Sequence, residues 1–232
     1  APLRTQSAVK YFALVQFDDG VYLNQPVRLA QLTHVMEDVG LSDPLIKITH
    51  WGIAAVVVSN ALIVGEGSIA HIYAGYTLAA LLGLRMLWGV IGPYSARFSS
   101  FKPSPARALA HIGDIRAGKH EVHTSHNPLG ALMAYALWAC LAVIIASGIG
   151  MAGAPPAIDA SISSAEFVSG EYREDAYGGE GEESAAGEVF EDVHEIAVNL
   201  LYVLIALHIA GVAFETARSG KRTITAMLPG GK

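Results

Sequence analysis

Nine histidines punctuate the 232 residues, and four of them fall inside long apolar runs: His50, His71, His194 and His208. Ionisable side chains at membrane depth are costly and, as a rule, functional. His194 and His208 are fourteen residues apart. That is close to four turns of helix, so both lie on one face, roughly 21 Å apart along the axis. His50 lies near the start of the first apolar run and His71 near the start of the next. At about 1.5 Å rise per residue, His208 matches the depth of His50, and His194 that of His71. Two facing pairs follow, one near each membrane surface: His50 with His208, and His71 with His194.

Two imidazoles facing across a helix gap can clamp a planar metal cofactor, and the natural occupant is haem b. An iron with two axial nitrogens has no open position, so such a haem passes electrons rather than binding oxygen. Two of them across a bilayer make a wire. Two imidazoles are too few for a structural zinc, which takes about four ligands. The contrary reading, four unrelated polar packing histidines, leaves the matched depths unexplained.

The elements that must position these residues are read from the apolar runs. A hydrocarbon core of roughly 30 Å needs about 20 apolar helical residues. Four segments qualify: Leu45–Val64, Ser68–Gly92, Leu129–Met151 and Val193–Phe214. The turn Gly65-Glu66-Gly67 joins the first two into an antiparallel hairpin. Asn127 suits a cap and Pro128 a first-turn position for the third span, and Pro155 and Pro156 stop its extension. The fold class is therefore all-α, an integral membrane four-helix bundle. Lys and Arg cluster between Pro93 and Asn127 and in the tail after the fourth span, whereas 152–192 holds only Arg173. By the positive-inside rule both termini are cytoplasmic, and the 65–67 turn and 152–192 face the periplasm or exterior.

Composition agrees. The chain is 52% hydrophobic and only 16% charged, with a mean hydropathy of +0.40, whereas about a quarter of the residues in soluble domains are charged. A net charge of −6 with no basic stripe makes nucleic acid a poor partner. The single Cys140 excludes an intrachain disulfide, a Cys-rich metal site and covalent c-type haem.

Arg85 lies deep in the second span and requires a buried anion. A haem propionate at the His50/His208 level would make it a cofactor-binding residue; snorkelling to the interface is the competing explanation. Gly75, Ala79 and Gly83 repeat every fourth position, which allows close approach of a helix or a macrocycle, and core packing accounts for them equally well. Trp51, Trp88 and Trp138 read as belt or packing residues. His34, His111, His120, His123 and His126 read as ordinary residues of the N-terminal segment and the cytoplasmic connection.

The stretch 152–192 contains eleven acidic residues against Arg173, a net charge near −10. It reads either as a solvated loop or as a docking surface for a basic periplasmic partner. Ahead of the spans, Tyr11–Phe17 and Val21–Leu23 around Asp18-Asp19-Gly20 suggest a hairpin. Residues 26–39 suggest a short amphipathic helix, and no signal peptide is expected there. The domain organisation is thus a cytoplasmic extension over 1–43, a four-span domain over 44–220 and a tail over 221–232.

The segments Asp43-Pro44-Leu45-Ile46-Lys47-Ile48-Thr49-His50-Trp51, Leu84-Arg85-Met86-Leu87-Trp88-Gly89, His126-Asn127-Pro128-Leu129-Gly130 and Val193-His194-Glu195, with His208, resemble the prokaryotic cytochrome b561 family. That family is similar to the b-type cytochrome subunits of nickel-iron hydrogenases and formate dehydrogenases. The resemblance spans roughly residues 43–230, and the histidines are its most specific part. It implies a dihaem protein exchanging electrons between the quinone pool and a partner redox protein, with His50, His71, His194 and His208 as axial ligands. It also places His126 and Asn127 near the cytoplasmic haem edge as cofactor-binding residues. The N-terminal 40 residues and the long acidic loop depart from the family pattern and bear on the partner.

The function expected is transmembrane electron transfer through two haem b groups in the bacterial inner membrane. The expected partners are the lipid bilayer, quinone and a periplasmic redox protein such as a cytochrome c or a dehydrogenase subunit. The chain reads as an electron-transfer subunit rather than a stand-alone enzyme, with quinone-coupled superoxide oxidation as a variant. The alternatives are a histidine-using transporter or metal-handling protein, and a haem-containing anchor. Transporters usually show repeated halves and helices broken at the midplane; these spans lack interior prolines.

Overall fold

A computed structural model describes residues 44–117, 127–156, 158, 162–169, 185–220 and 227. The hairpin expected at 11–23, the helix expected at 26–39, and His34, His120, His123 and His126 lie outside these residues. The described elements are helical, with no strand among the described residues. In chain order they are α1 (Pro44–Leu62), α2 (Ile69–Ile91), two short 3-10 turns (Tyr94–Ala96 and Phe98–Ser100), α3 (Pro105–Arg116), α4 (Pro128–Ala152), α5 (Ser164–Ser169) and α6 (Ala185–Ser219). Helices α1, α2, α4 and α6 are the four long and apolar enough to cross a membrane.

The span edges follow from local chemistry. Gly67 takes φ +68 in the α1–α2 turn, a conformation that only glycine adopts without strain. The Ser68 hydroxyl then accepts the His71 backbone N–H at 3.1 Å, which caps the turn of α2 that carries His71. Asn127 caps α4 by accepting the Gly130 N–H at 2.6 Å, with Pro128 in the first turn. The helix stops at Gly153, φ +63, ahead of Pro155 and Pro156, because a left-handed glycine ends a helix without needing a proline.

Two expectations are corrected. The fourth helix begins at Ala185 rather than Val193, so the last two turns of the acidic stretch are helical. Acidic side chains favour a helix N-terminus, and Glu188 stands in the first turn. At about 1.5 Å per residue, α6 is roughly 50 Å long and outreaches a ~30 Å hydrocarbon core. The connection between α2 and α4 is also not plain loop. Pro105–Arg116 is a helix capped by Ser104, packed along α4, and His111 is buried on it, not a loop residue.

The core sits where α2, α4 and α6 meet: Leu78 and Leu82, then Cys140, Leu141 and Ile144, then Ala197 and Leu201. Cys140 Sγ donates to the Ala197 carbonyl at 3.2 Å, joining α4 to α6 directly. Helix α6 packs along α4, and α1 packs on α2, whereas contacts of α6 with α1 and α2 are sparse. The four spans therefore form two tight pairs, α1–α2 and α4–α6, joined chiefly through α2–α4.

At the end bearing the hairpin turn, α5 covers α2. The Gly65 N–H donates to the Val168 carbonyl at 2.9 Å, and Phe167 lies beside Tyr73. Tyr73 and Tyr76 donate to the carbonyls of Pro156 and Gly153. Helix α5 opens with a reciprocal cap: Glu166 accepts the Ser163 N–H at 2.8 Å, and Ser163 accepts the Glu166 N–H at 3.3 Å, the S-x-x-E capping box. These bonds, the side-chain one first, hold the Glu166 carboxyl below its ordinary pKa. Its contribution is therefore complete above the usual glutamate range and is lost as pH falls through the lowered folded value. Hydrogen exchange at the Ser163 amide, corrected for intrinsic rate, should lose protection over that acidic window, and Glu166→Ala should lose it at neutral pH.

Candidate cofactor site between the helices

Each candidate ligand is set by a different device. His50 follows Thr49, which is fully buried and donates back to the carbonyls of Leu45 and Ile46. Trp51 beside it donates Nε1–H to the Met227 carbonyl at 2.8 Å, so the chain after α6 returns to the start of α1. His71 sits in the capped first turn of α2. His194 and His208 lie on α6, roughly 21 Å apart by helical rise.

The structure brings these four together in two pairs. The ring centres of His50 and His208 are 6.3 Å apart, and those of His71 and His194 are 6.2 Å apart. A ring nitrogen lies about 2.0–2.1 Å from a metal it ligates. Roughly 1.1 Å more reaches its ring centre, so a metal held in line between two imidazoles sets the centres about 6.3 Å apart. Both pairs fit that span. Nδ1 of His50 and Nδ1 of His71 are buried without a hydrogen-bond partner among the described residues, at a cost of about 1–3 kcal/mol each if left so.

The space beside the pairs agrees. A Cβ added at Gly75, Gly83 or Gly211 would meet nothing within 4 Å. Gly75 lies about one turn after His71 on α2, Gly83 about two turns further on, and Gly211 is about one turn beyond His208. The close helix approach that the small-residue repeat allowed is not made at Gly75 and Gly83. A side chain at any of these three glycines would meet no neighbour, and the backbone of α6 comes close to α1 and α2 at few points.

The family model for prokaryotic cytochrome b561 matches residues 42–230. The chain belongs to the prokaryotic cytochrome b561 family. No curated protein and no solved structure matched it. As a member of this family it is a multi-pass bacterial membrane cytochrome that binds haem b and transfers electrons. The observations above show that its histidine pairs fit such a group.

Arg85 is buried, 6% exposed, in a protein setting that sequence did not suggest. Its guanidinium lies 4.9 Å from the Trp138 ring centre and 5.7 Å from that of Phe98, with the Ala96 carbonyl at 3.4 Å from Nη1. Phe98, Phe101, Tyr135 and Trp138 form one cluster of mutually contacting rings. Cation–π contacts are worth about 2 kcal/mol when desolvated, so these rings offset part of the cost of burying the charge. Asn127, besides capping α4, donates Nδ2–H to Glu215 Oε2 at 3.4 Å, which ties α4 to α6 near their shared end.

Sequence spacing gave no sign of Ser147, the single Ser or Thr of α4, whose Oγ lies 3.0 Å from His194 Nδ1. Nor did it mark Gly89, where a Cβ would overlap the Phe98 ring. Gly89→Ala should drive Phe98 from its seat and strip one face from Arg85. The expected outcome is a destabilisation of about 1–3 kcal/mol and a changed tryptophan emission, measured by denaturant unfolding in detergent.

Proposed function

We propose that this cytochrome b561 holds two haem b groups, one between His50 and His208 and one between His71 and His194. On this reading it passes electrons across the bacterial inner membrane between the quinone pool and a periplasmic redox protein such as a cytochrome c or a dehydrogenase subunit. The observation that carries the reading is the pair of ring separations, 6.3 and 6.2 Å, each spanning two helices whose backbones come close at few points. A haem b ligated by two imidazoles supplies one-electron transfer and leaves no iron position for oxygen.

The protein's own residues hold and insulate. Helix α6 contributes one ligand to each pair, which fixes the two levels on a single rigid rod. Helices α1 and α2 contribute the other two. Leu78, Leu82, Ile144 and Leu201 keep water from the interior between the levels. Arg85, against Phe98 and Trp138, secures the 94–101 segment across the end of α2 and α4 near the His50/His208 level.

The Lys and Arg distribution supports both termini on the cytoplasmic side, with the His71/His194 pair then nearest the periplasm. The acidity of 152–192 supports a protein partner carrying basic groups, because a field of one sign speeds association with its opposite. The organisation proposed is the extension 1–43, the four-span domain 44–220 and the tail 221–232; the family match over 42–230 supports its first boundary. A metal-handling alternative gains nothing: no group of three or more His, Cys, Asp or Glu able to hold a metal ion occurs among the described residues.

The test is vectorial electron transfer in vesicles with ferricyanide trapped inside and dithionite added outside. Wild-type protein should reduce the trapped oxidant. His50→Ala and His71→Ala should each lose one haem and fall to the protein-free leak rate. Transfer that survives either substitution would contradict the two-haem path.

A further inference from the structure

Helix α4 supplies no ligand, yet it touches one. Ser147, 2% exposed, has its Oγ at 2.8 Å from the Val143 carbonyl and 3.1 Å from the Ile144 carbonyl. Carbonyls only accept, so the single hydroxyl hydrogen is committed to them, a common arrangement for a serine inside a helix. The same oxygen lies 3.0 Å from His194 Nδ1. With its hydrogen already given, it can only accept there, beside the Ile144 carbonyl that also bonds the ring, so His194 carries its proton on Nδ1. A neutral imidazole has one N–H, and Nε2 is then a bare lone pair, the form that binds metal.

The next residue completes the seat. A Cβ at Gly148 would stand 3.3 Å from His194 Cε1, tighter than ordinary side-chain contact, so a side chain there would press on the ring. No such bond serves His50 at the other end, nor His71 across from His194: Nδ1 of each is buried without a hydrogen-bond partner among the described residues.

We propose that Ser147 is a positioning residue for the turn-end haem, fixing His194 in the tautomer whose Nε2 ligates iron and lowering that haem's reduction potential. The inference rests on the assignment of His71 and His194 as a ligand pair. A ligating imidazole whose other N–H is hydrogen-bonded is held in orientation and is more basic, and a more basic ligand favours the oxidised iron. Since the contact reaches one histidine of one pair, it lowers the potential of that site and leaves the other untouched. Gly148 keeps the ring free to sit against the hydroxyl.

The experiment is an optical redox titration of the purified full-length protein and its Ser147→Ala, Ser147→Val and Ser147→Thr variants. Threonine keeps the hydroxyl and matches valine in size, so an effect of volume alone would appear in both. The expected result is that one haem becomes easier to reduce in the Ala and Val variants. Its equilibrium should shift by up to about tenfold, or about 59 mV for a one-electron couple. The second haem should be unmoved and the Thr variant should titrate as wild type. The haem that moves should be the one missing from His71→Ala. Loss of that haem from the Ala and Val variants with retention in Thr would support the same role.

The proposal is overturned if Thr and Val behave alike, if neither haem moves in Ala and Val, or if the moving haem is the one missing from His50→Ala. A wild-type protein that binds no haem would overturn it differently, through the ligand assignment itself.

Discussion

An imidazole inside a bilayer has no water to satisfy it, and this structure sets each one opposite another at the span of a metal-ligating pair. Everything else in the bundle serves the two resulting gaps. Because His194 and His208 share one face of α6, a single helix fixes both levels, and the hairpin α1–α2 has only to present one histidine to each. The tight packing is accordingly placed elsewhere, in the α2–α4–α6 core around Leu78, Cys140, Ile144 and Leu201. The α6 contacts with α1 and α2 are left sparse, as a cleft for a planar cofactor demands. A bundle packed uniformly on all sides would have no place for the group that a cytochrome b561 carries.

The ends of the bundle are closed by different means. At the turn end, α5 and two tyrosines lay the chain over α2 through backbone carbonyls. At the other, Phe98 sits where Gly89 leaves room, and Arg85 lies against the edge-to-face pair of Phe98 and Trp138. A cation against aromatic rings costs less to bury than one facing hydrocarbon. Its carbonyl contact at Ala96 binds the irregular segment to the helix below it. The Trp51–Met227 and Asn127–Glu215 contacts add two further ties at this end.

Much of this was legible in the sequence, for physical reasons that also mark where legibility stopped. Apolar runs of membrane length reveal spans directly, and the three shorter ones were placed to within a residue or two. Helix α6 was begun too late because an acid-rich run resembles solvated loop, although its acids suit a helix N-terminus. The histidine pairs were readable because fourteen residues is nearly a whole number of turns and depth depends on rise alone. Ser147 was not, since its meaning depends on which way α4 is rotated, and a helix as apolar as α4 carries no periodic signal of that rotation. Arg85 stands out in sequence as an expensive charge, but two of its partners, Ala96 and Phe98, come from an irregular segment whose path no spacing rule predicts. The Gly75, Ala79 and Gly83 repeat was visible, while the open space beside two of those positions is a property of the neighbouring helices.

The central claim is that two separate histidine pairs each hold one haem b. Haem quantified per chain on purified, haem-supplied protein, together with a reduced-minus-oxidised spectrum, tests it most directly. Two low-spin b-type haems per chain are expected. A single haem would leave one of the two pairs without a cofactor, and none from a folded preparation would contradict the assignment altogether.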